Sequence, residues 1–186
     1  GVDGLKVGVG PSPVCSTRTM AGAGVPQLTA VMDVCSVAQQ YGVPVSADGG
    51  LKYPGDCVKA LAGGALTIFS GSLFAGTDQA PGRIIHKKGK RFKVYAGSAS
   101  YESNLDRKQR VYGLAKNEEL NVFVEGVSTL VDYKGDVDGV IESLCKGIRS
   151  GISYGGGRTI ADLQKNVEFV RVTPAGWSET LTVEQK

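Results

Sequence analysis

The stretch Gly4-Leu5-Lys6-Val7-Gly8-Val9-Gly10-Pro11-Ser12-Pro13-Val14-Cys15-Ser16-Thr17-Arg18 runs a short apolar strand, Leu5 to Val9, into a loop bounded by glycine and proline. That loop presents one cysteine among hydroxyls and an arginine. Strand ends of parallel α/β sheets are where ligands and catalytic groups gather. Gly and Pro fix the backbone there and hold the thiol in one place. Arg18 and the loop N–H groups are placed to lower the thiol pKa and make Cys15 a nucleophile. The competing reading is an inert core cysteine, the commoner fate of a lone thiol. The residues alone leave both open.

Outward from this loop the chain repeats one unit. Pro26 opens a helical pattern with Leu28, Val31, Met32, Cys35, Val37 and Ala38 inward, closed by Gly42. Residues 43–47 read as a strand ending at Asp48-Gly49-Gly50. Pro54 starts a second helix with Val58, Ala60 and Leu61 inward, closed by Gly63-Gly64, and residues 66–69 form a third strand ending at Ser70-Gly71-Ser72. The spacing, roughly thirty residues, is that of parallel βα units. Glycine-rich loops at three successive strand ends expose N–H groups that accept anions, above all phosphate. Asp48 is either the acceptor for sugar hydroxyls or a turn aspartate.

A chain of 186 residues with 41% hydrophobic residues supports one domain with a real core. A net charge of +3 does not argue for nucleic acid. Four cysteines without C-x-x-C spacing and a single histidine, His86, argue against zinc. Cys35, Cys57 and Cys145 sit on apolar helical patterns and read as core. No run of roughly 18 apolar residues predicts a membrane span. No signal peptide opens the chain, and reduced cysteines fit a cytoplasmic enzyme. The first residues read like the middle of a domain, as though earlier strands were missing.

After Gly76 the pattern changes. Residues 83–95 read as a basic hairpin turning at Lys88-Gly89. Residues 98–121 are polar without a firm period and read as a mobile loop or flap. Residues 122–133 alternate as a strand. Val137, Ile141, Leu144, Cys145 and Ile148 mark a helix, Thr159 caps a shorter one, residues 169–172 read as a last strand, and the tail from Pro174 is polar. The expected organisation is one catalytic domain over 1–186, with an inserted hairpin and flap over 81–133.

Several of these segments together carry a resemblance: the Cys15 loop with Thr17-Arg18, Gly22–Gln27, Ala47–Gly50, Gly71–Thr77, Glu125-Gly126-Val127, Tyr133-Lys134-Gly135, Gly147-Ile148-Arg149 and Gly157–Ile160. The chain resembles the inosine monophosphate dehydrogenase / GMP reductase family over nearly its whole length. The resemblance implies an α/β fold, a partial (β/α)8 TIM barrel made of the last three barrel strands, the flap and the C-terminal segment. It implies that Cys15 attacks purine C2, forming a covalent thioimidate. In a dehydrogenase this oxidises IMP to XMP with NAD; in a reductase GMP becomes IMP with NADPH. A nucleotide-binding protein without turnover is the third reading. Thr17 and Glu125 would handle protons, with Arg110 and Tyr112 at the water-activating flap position. Asp48 would hold the ribose hydroxyls and Gly50, Gly71, Ser72 and Tyr95 the 5′-phosphate, with Gly49 and Gly97 also in the substrate site. A potassium ion would sit on the carbonyls of Gly10, Ser12 and Cys15, with Glu179 near the partner-subunit ligand. The implied partners are IMP or GMP and further copies in a homotetramer, with no nucleic acid and no membrane.

The chain departs from the family pattern at three places. Ser12-Pro13 replaces Gly-Ser in the loop, Val111-Tyr112 stands where dehydrogenases carry Arg-Tyr, with Arg110 one place early, and Gly97-Ser98-Ala99 follows the hairpin. The flap departure favours the reductase. Gly71-Ser72 with Gly76-Thr77, residues 155–160, and residues 169–173 with the tail favour the dehydrogenase, which is the leading expectation.

Overall fold

The computed structural model describes residues 1–113 and 123–182. β1 (Leu5–Val7) leads through a short α1 (Thr17–Met20) and α2 (Gln27–Ala38) to β2 (Val45–Asp48). α3 (Pro54–Ala62) then leads to β3 (Thr67–Phe69). The three strands lie parallel in the order β1-β2-β3, with Lys6 opposite Ser46 and Asp48 opposite Phe69. These are the successive βα units that the glycine and proline punctuation announces.

Local chemistry sets the ends of each element. α2 runs through a 3-10 turn to Gly42, whose φ of 65° is the left-handed conformation that glycine adopts freely. Pro54 starts α3, and the Asp56 carboxylate accepts the N–H groups of Lys52 and Tyr53, both at 2.9 Å. Strand alternation does the rest. Val45 and Ala47 are buried under the helices with Val31, Cys35, Cys57 and Ala60. Lys6, Ser46, Asp48 and Phe69 face the other way, on the side of the sheet opposite the helices.

A second sheet follows. β4 (Ile84–Lys87) and β5 (Lys90–Ala96) form a hairpin on a two-residue turn, Lys88 (φ 51°) and Gly89 (φ 75°), as its basic sequence predicts. α4 (Tyr101–Tyr112) comes next, then β6 (Ser128–Asp132), antiparallel to β5. α5 (Val137–Tyr154), α6 (Ile160–Asn166) and α7 (Pro174–Thr180) complete the described chain. α5 lies close on α3 because Gly147 and Gly151 face Pro54 and Val58; a Cβ at either would fall 2.3 or 2.5 Å from those side chains. Thr159 and Asp162 cap the start of α6, and Leu163 closes a second apolar cluster with Leu61 and Ile152.

Several expectations need correction. Part of the polar stretch 98–121 is a helix, α4, where no period predicts one. Its support is polar: Ser100 caps it by accepting the Ser103 N–H at 3.2 Å, and Asp106 pairs with Arg110 one turn on. Residues 114–122 of that stretch lie outside the described residues. The strand read over 169–172 is not formed; Val170 and Val172 are exposed. The polar tail instead contains α7, capped by Thr173. Met32, Val37 and Ile141 are exposed, and Val34 and Val140 take their place against the core. Cys145 is exposed too, whereas Cys35 and Cys57 are buried. No described helix is long and apolar enough to cross a membrane.

Candidate active site

β1 ends at Gly8 because nothing larger fits: a Cβ there would fall 1.9 Å from the Asp48 carbonyl oxygen. The chain then turns back, and the Cys15 N–H donates to the Ser12 carbonyl at 3.1 Å. The segment 125–127 pins the loop from outside. Ser16 N–H donates to the Glu125 carbonyl at 2.8 Å, and Val127 N–H to the Val14 carbonyl at 3.0 Å. On its far side the same segment is tied to the end of β5 through Glu125 N–H to Ala99 and Gly97 N–H to Val127.

This clamp delivers Glu125 to the thiol. Thr17 Oγ1 donates to Glu125 Oε2 at 2.8 Å, and Cys15 Sγ lies 3.2 Å from Thr17 Oγ1. With the threonine proton directed to the carboxylate, the threonine oxygen is left to accept from the thiol. The three groups therefore form a path along which a proton passes from sulfur to carboxylate. Cys15 is half-buried. Cys35 and Cys57 are buried, and burial pushes both thiols up, Cys57 to about 11, which disfavours the thiolate.

Arg18 does not serve the thiol as its position in sequence suggests. Its Nε donates to the Val9 carbonyl at 3.1 Å and its Nη2 to the Val25 carbonyl at 2.7 Å. It staples the two ends of the loop, packed over Gly10 and Gly24.

A cavity of about 460 Å³ opens beside Cys15, within the size range of small-molecule sites. The thiol therefore lies at a cleft and not deep among aliphatic side chains. Gly10, Ser12, Cys15, Asp48, Gly49, Gly71, Ser72, Tyr95, Gly97 and Glu125 all reach its wall. The three glycine turns thus converge as the strand ends require. Gly71 is matched to Tyr95: a Cβ at 71 would lie 2.8 Å from the tyrosine hydroxyl. Gly50 follows Gly49 in the same turn, and a Cβ there would point at Gln27 and Pro11, 3.2 Å away. Asp48 Oδ2 pairs with Lys6 at 2.8 Å, and the same ammonium lies 4.5 Å above the Phe69 ring. Sequence reading missed Lys6 and Phe69. The signal was there: a lysine inside an apolar strand marks the inward face.

Other expected residues stay apart. Arg110 is held by Asp106 at 2.8 Å on the exposed side of α4 and does not reach the cavity, because the unexpected helix places its partner one turn away. The Tyr112 side chain lies outside the described residues. Glu179 stands on α7, whose Trp177 ring sits under Lys59 of α3. Among the described residues no cluster of His, Cys, Asp and Glu is arranged for a metal.

The chain is similar to known proteins over nearly its whole length. The family model described as IMP dehydrogenase / GMP reductase domain matches residues 1–182. The chain is 46% identical over 182 residues to inosine-5′-monophosphate dehydrogenase of Nitrosopumilus maritimus, covering 97% of this chain and 38% of that protein. It is 47% identical over 180 residues to GMP reductase of Leishmania donovani, covering 97% and 37%. A cysteine-to-alanine variant of GMP reductase from Trypanosoma brucei, solved in complex with guanosine 5′-monophosphate, superposes with a TM-score of 0.91 at 43% identity, covering 98% of this chain and 37% of that one. The chain spans less than two-fifths of the length of these relatives.

Proposed function

The chain belongs to the IMP dehydrogenase / GMP reductase family of oxidoreductases, and from that premise we propose that it is the part of a purine-nucleotide oxidoreductase that carries the thiol nucleophile. The observation that supports this reading best is the Cys15–Thr17–Glu125 chain at the mouth of the cavity. As the thiol proton moves through Thr17 to Glu125, sulfur bonds to purine C2. In the reductase direction the amino group of GMP leaves as ammonia and takes that proton. Once C2 has been reduced, the C2–S bond breaks and IMP departs. In the dehydrogenase direction the adduct forms as IMP loses hydride, and the proton on Glu125 passes to solvent; water then adds at C2 with its proton going through Thr17 to Glu125, the C2–S bond breaks, and XMP departs as the sulfur regains a proton. A nicotinamide dinucleotide supplies the hydride in the first direction, as NADPH, and accepts it in the second, as NAD.

The reductase direction is favoured by the placement of Arg110. Sequence features favour the dehydrogenase, but the arginine nearest the water-activating position is engaged by Asp106 away from the cavity. The reductase does not need that step. Asp48 is assigned to the ribose and Gly50, Gly71, Ser72 and Tyr95 to the 5′-phosphate, with Gly49 and Gly97 beside them in the cavity wall. Residues 81–133 are read as an insert in one barrel domain. The same family reading would place a potassium ion on the loop carbonyls of Gly10, Ser12 and Cys15, completed by Glu179 from another copy; no step is assigned to it. Homotetramer formation follows from the same family reading. Four free thiols agree with a cytoplasmic setting.

The test uses the full-length protein, supplied first with IMP and NAD and then with GMP and NADPH, following nicotinamide absorbance. Turnover of GMP alone supports the reductase. Turnover of IMP alone reverses the assignment. Tight nucleotide binding with no turnover and no adduct on Cys15 overturns the covalent reading.

A further inference from the structure

The second sheet holds a charge that the chemistry above does not use. Lys93 on β5 is only 4% exposed. Its ammonium donates to the carbonyls of Thr77 at 2.8 Å, Asp78 at 3.4 Å and Ala80 at 2.5 Å, and none of the described ion pairs includes it. Three carbonyls satisfy its three donors. The charge itself stays buried without a carboxylate, which is costly. An apolar side chain would fill the space more cheaply, so stability alone does not account for it.

A second lysine does the same at the other end of the same connection. Lys134, just past β6, donates to the Leu73 carbonyl at 2.9 Å and the Ser72 carbonyl at 3.3 Å. Its stem is exposed, but loss of water around the ammonium holds its pKa below the usual lysine value. Between them the two lysines draw the carbonyls of 72, 73, 77, 78 and 80 toward the second sheet. Within the connection the N–H groups of Ala75, Thr77, Asp78 and Ala80 donate to backbone carbonyls, so it is fixed from its own side as well. Gly71 and Ser72 at the head of this connection line the cavity. Tyr95 shares a face of β5 with Lys93, and its hydroxyl lies against Gly71.

We propose that Lys93 and Lys134 are positioning residues for the phosphate end of the cavity: they fasten the 72–80 connection to the antiparallel sheet, so that Gly71, Ser72 and Tyr95 meet only when that sheet is docked. The inference rests on the reading that the cavity takes a purine 5′-monophosphate. It adds that phosphate recognition is coupled to the sheet carrying the flap, through ammonium–carbonyl contacts that never touch the ligand.

The experiment compares Lys93→Met and Lys134→Gln with the unaltered full-length protein. Affinities for GMP, IMP, guanosine and inosine are measured by titration calorimetry, with circular dichroism as the check on folding. Loss of positioning predicts GMP and IMP binding weaker by about tenfold, with the nucleosides unchanged within about twofold. Equal weakening of nucleotide and nucleoside, or no weakening of either, overturns the inference. Should Lys93→Met not fold, Lys134→Gln decides, because its stem is exposed and its removal opens no cavity. If the unaltered protein shows no preference for GMP or IMP over the nucleosides, the proposed function fails first and the inference with it.

Discussion

The parallel sheet and the antiparallel sheet are held in place by different forces. Behind β1–β3, cohesion comes from buried Val, Ala and Cys side chains packed under α2 and α3. Around β4–β6 it comes from polar contacts: Lys93 and Lys134 to backbone carbonyls, Tyr133 to Asp78 at 2.7 Å, and Gln79 to Asp136. The first arrangement is non-directional and tolerates drift. The second is directional and sets positions. The cavity lies where the two meet, with its nucleophile on a loop of the first and its clamp, Glu125 and Tyr95, from the second.

The largest effect should come from the nucleophile itself. Cys15→Ala is expected to cut turnover by about a thousandfold or more and to remove any mass-detected adduct while GMP still binds. Full activity in this variant would break the assignment of chemistry to the loop. Glu125→Gln tests whether the second region does chemistry or only holds shape. The expected loss in kcat is about a hundredfold or more, and adding Thr17→Val should cost little further, since the two act as one path.

Val31→Ala probes the opposite side of the contrast. Val31 is fully buried, so stability should fall by about 2 kcal/mol, read as a lower midpoint in urea, with KM unchanged. A changed KM would mean that the two regions are not energetically separate. Gly71→Ala, which drives a methyl into the Tyr95 hydroxyl, should weaken GMP about tenfold and leave guanosine nearly unaffected.

The smallest effect belongs to a helix cap. Backbone N–H groups of Arg158 and Thr159 and the Thr159 hydroxyl hold the Asp162 carboxyl below its usual pKa. Its contribution is therefore present above the ordinary carboxylate range and is lost as pH falls through and below it. Asp162→Asn should flatten the acid side of a plot of melting temperature against pH and leave the neutral plateau slightly lower.

Much of the first region was legible in the residues. Gly42, Pro54 and Gly63 mark helix ends, and Gly49 and Gly71 mark strand ends, because their backbone preferences act locally. The misreadings have physical causes. α4 lacks an apolar stripe, so periodicity misses a helix sustained by caps and one-turn ion pairs. Residues 169–172 have strand-like side chains but no strand beside them to pair with. The face of α5 was turned from its expected direction because Gly147 and Gly151, which carry no side chain to count, form its contact with α3.

The amino-acid order by itself determined the succession of βα units, the glycine turns at their ends and, through the resemblance, which residues to look for. Only the folded structure decided that Thr17 donates to Glu125, 108 residues away, that Arg18 serves as a staple, that Arg110 is engaged elsewhere, and that two lysines hold the 72–80 connection. The division follows from the range of the forces. Backbone preference and side-chain period act between near neighbours and can be read along the chain. A hydrogen bond between distant segments exists only once packing has brought its two ends within about 3 Å.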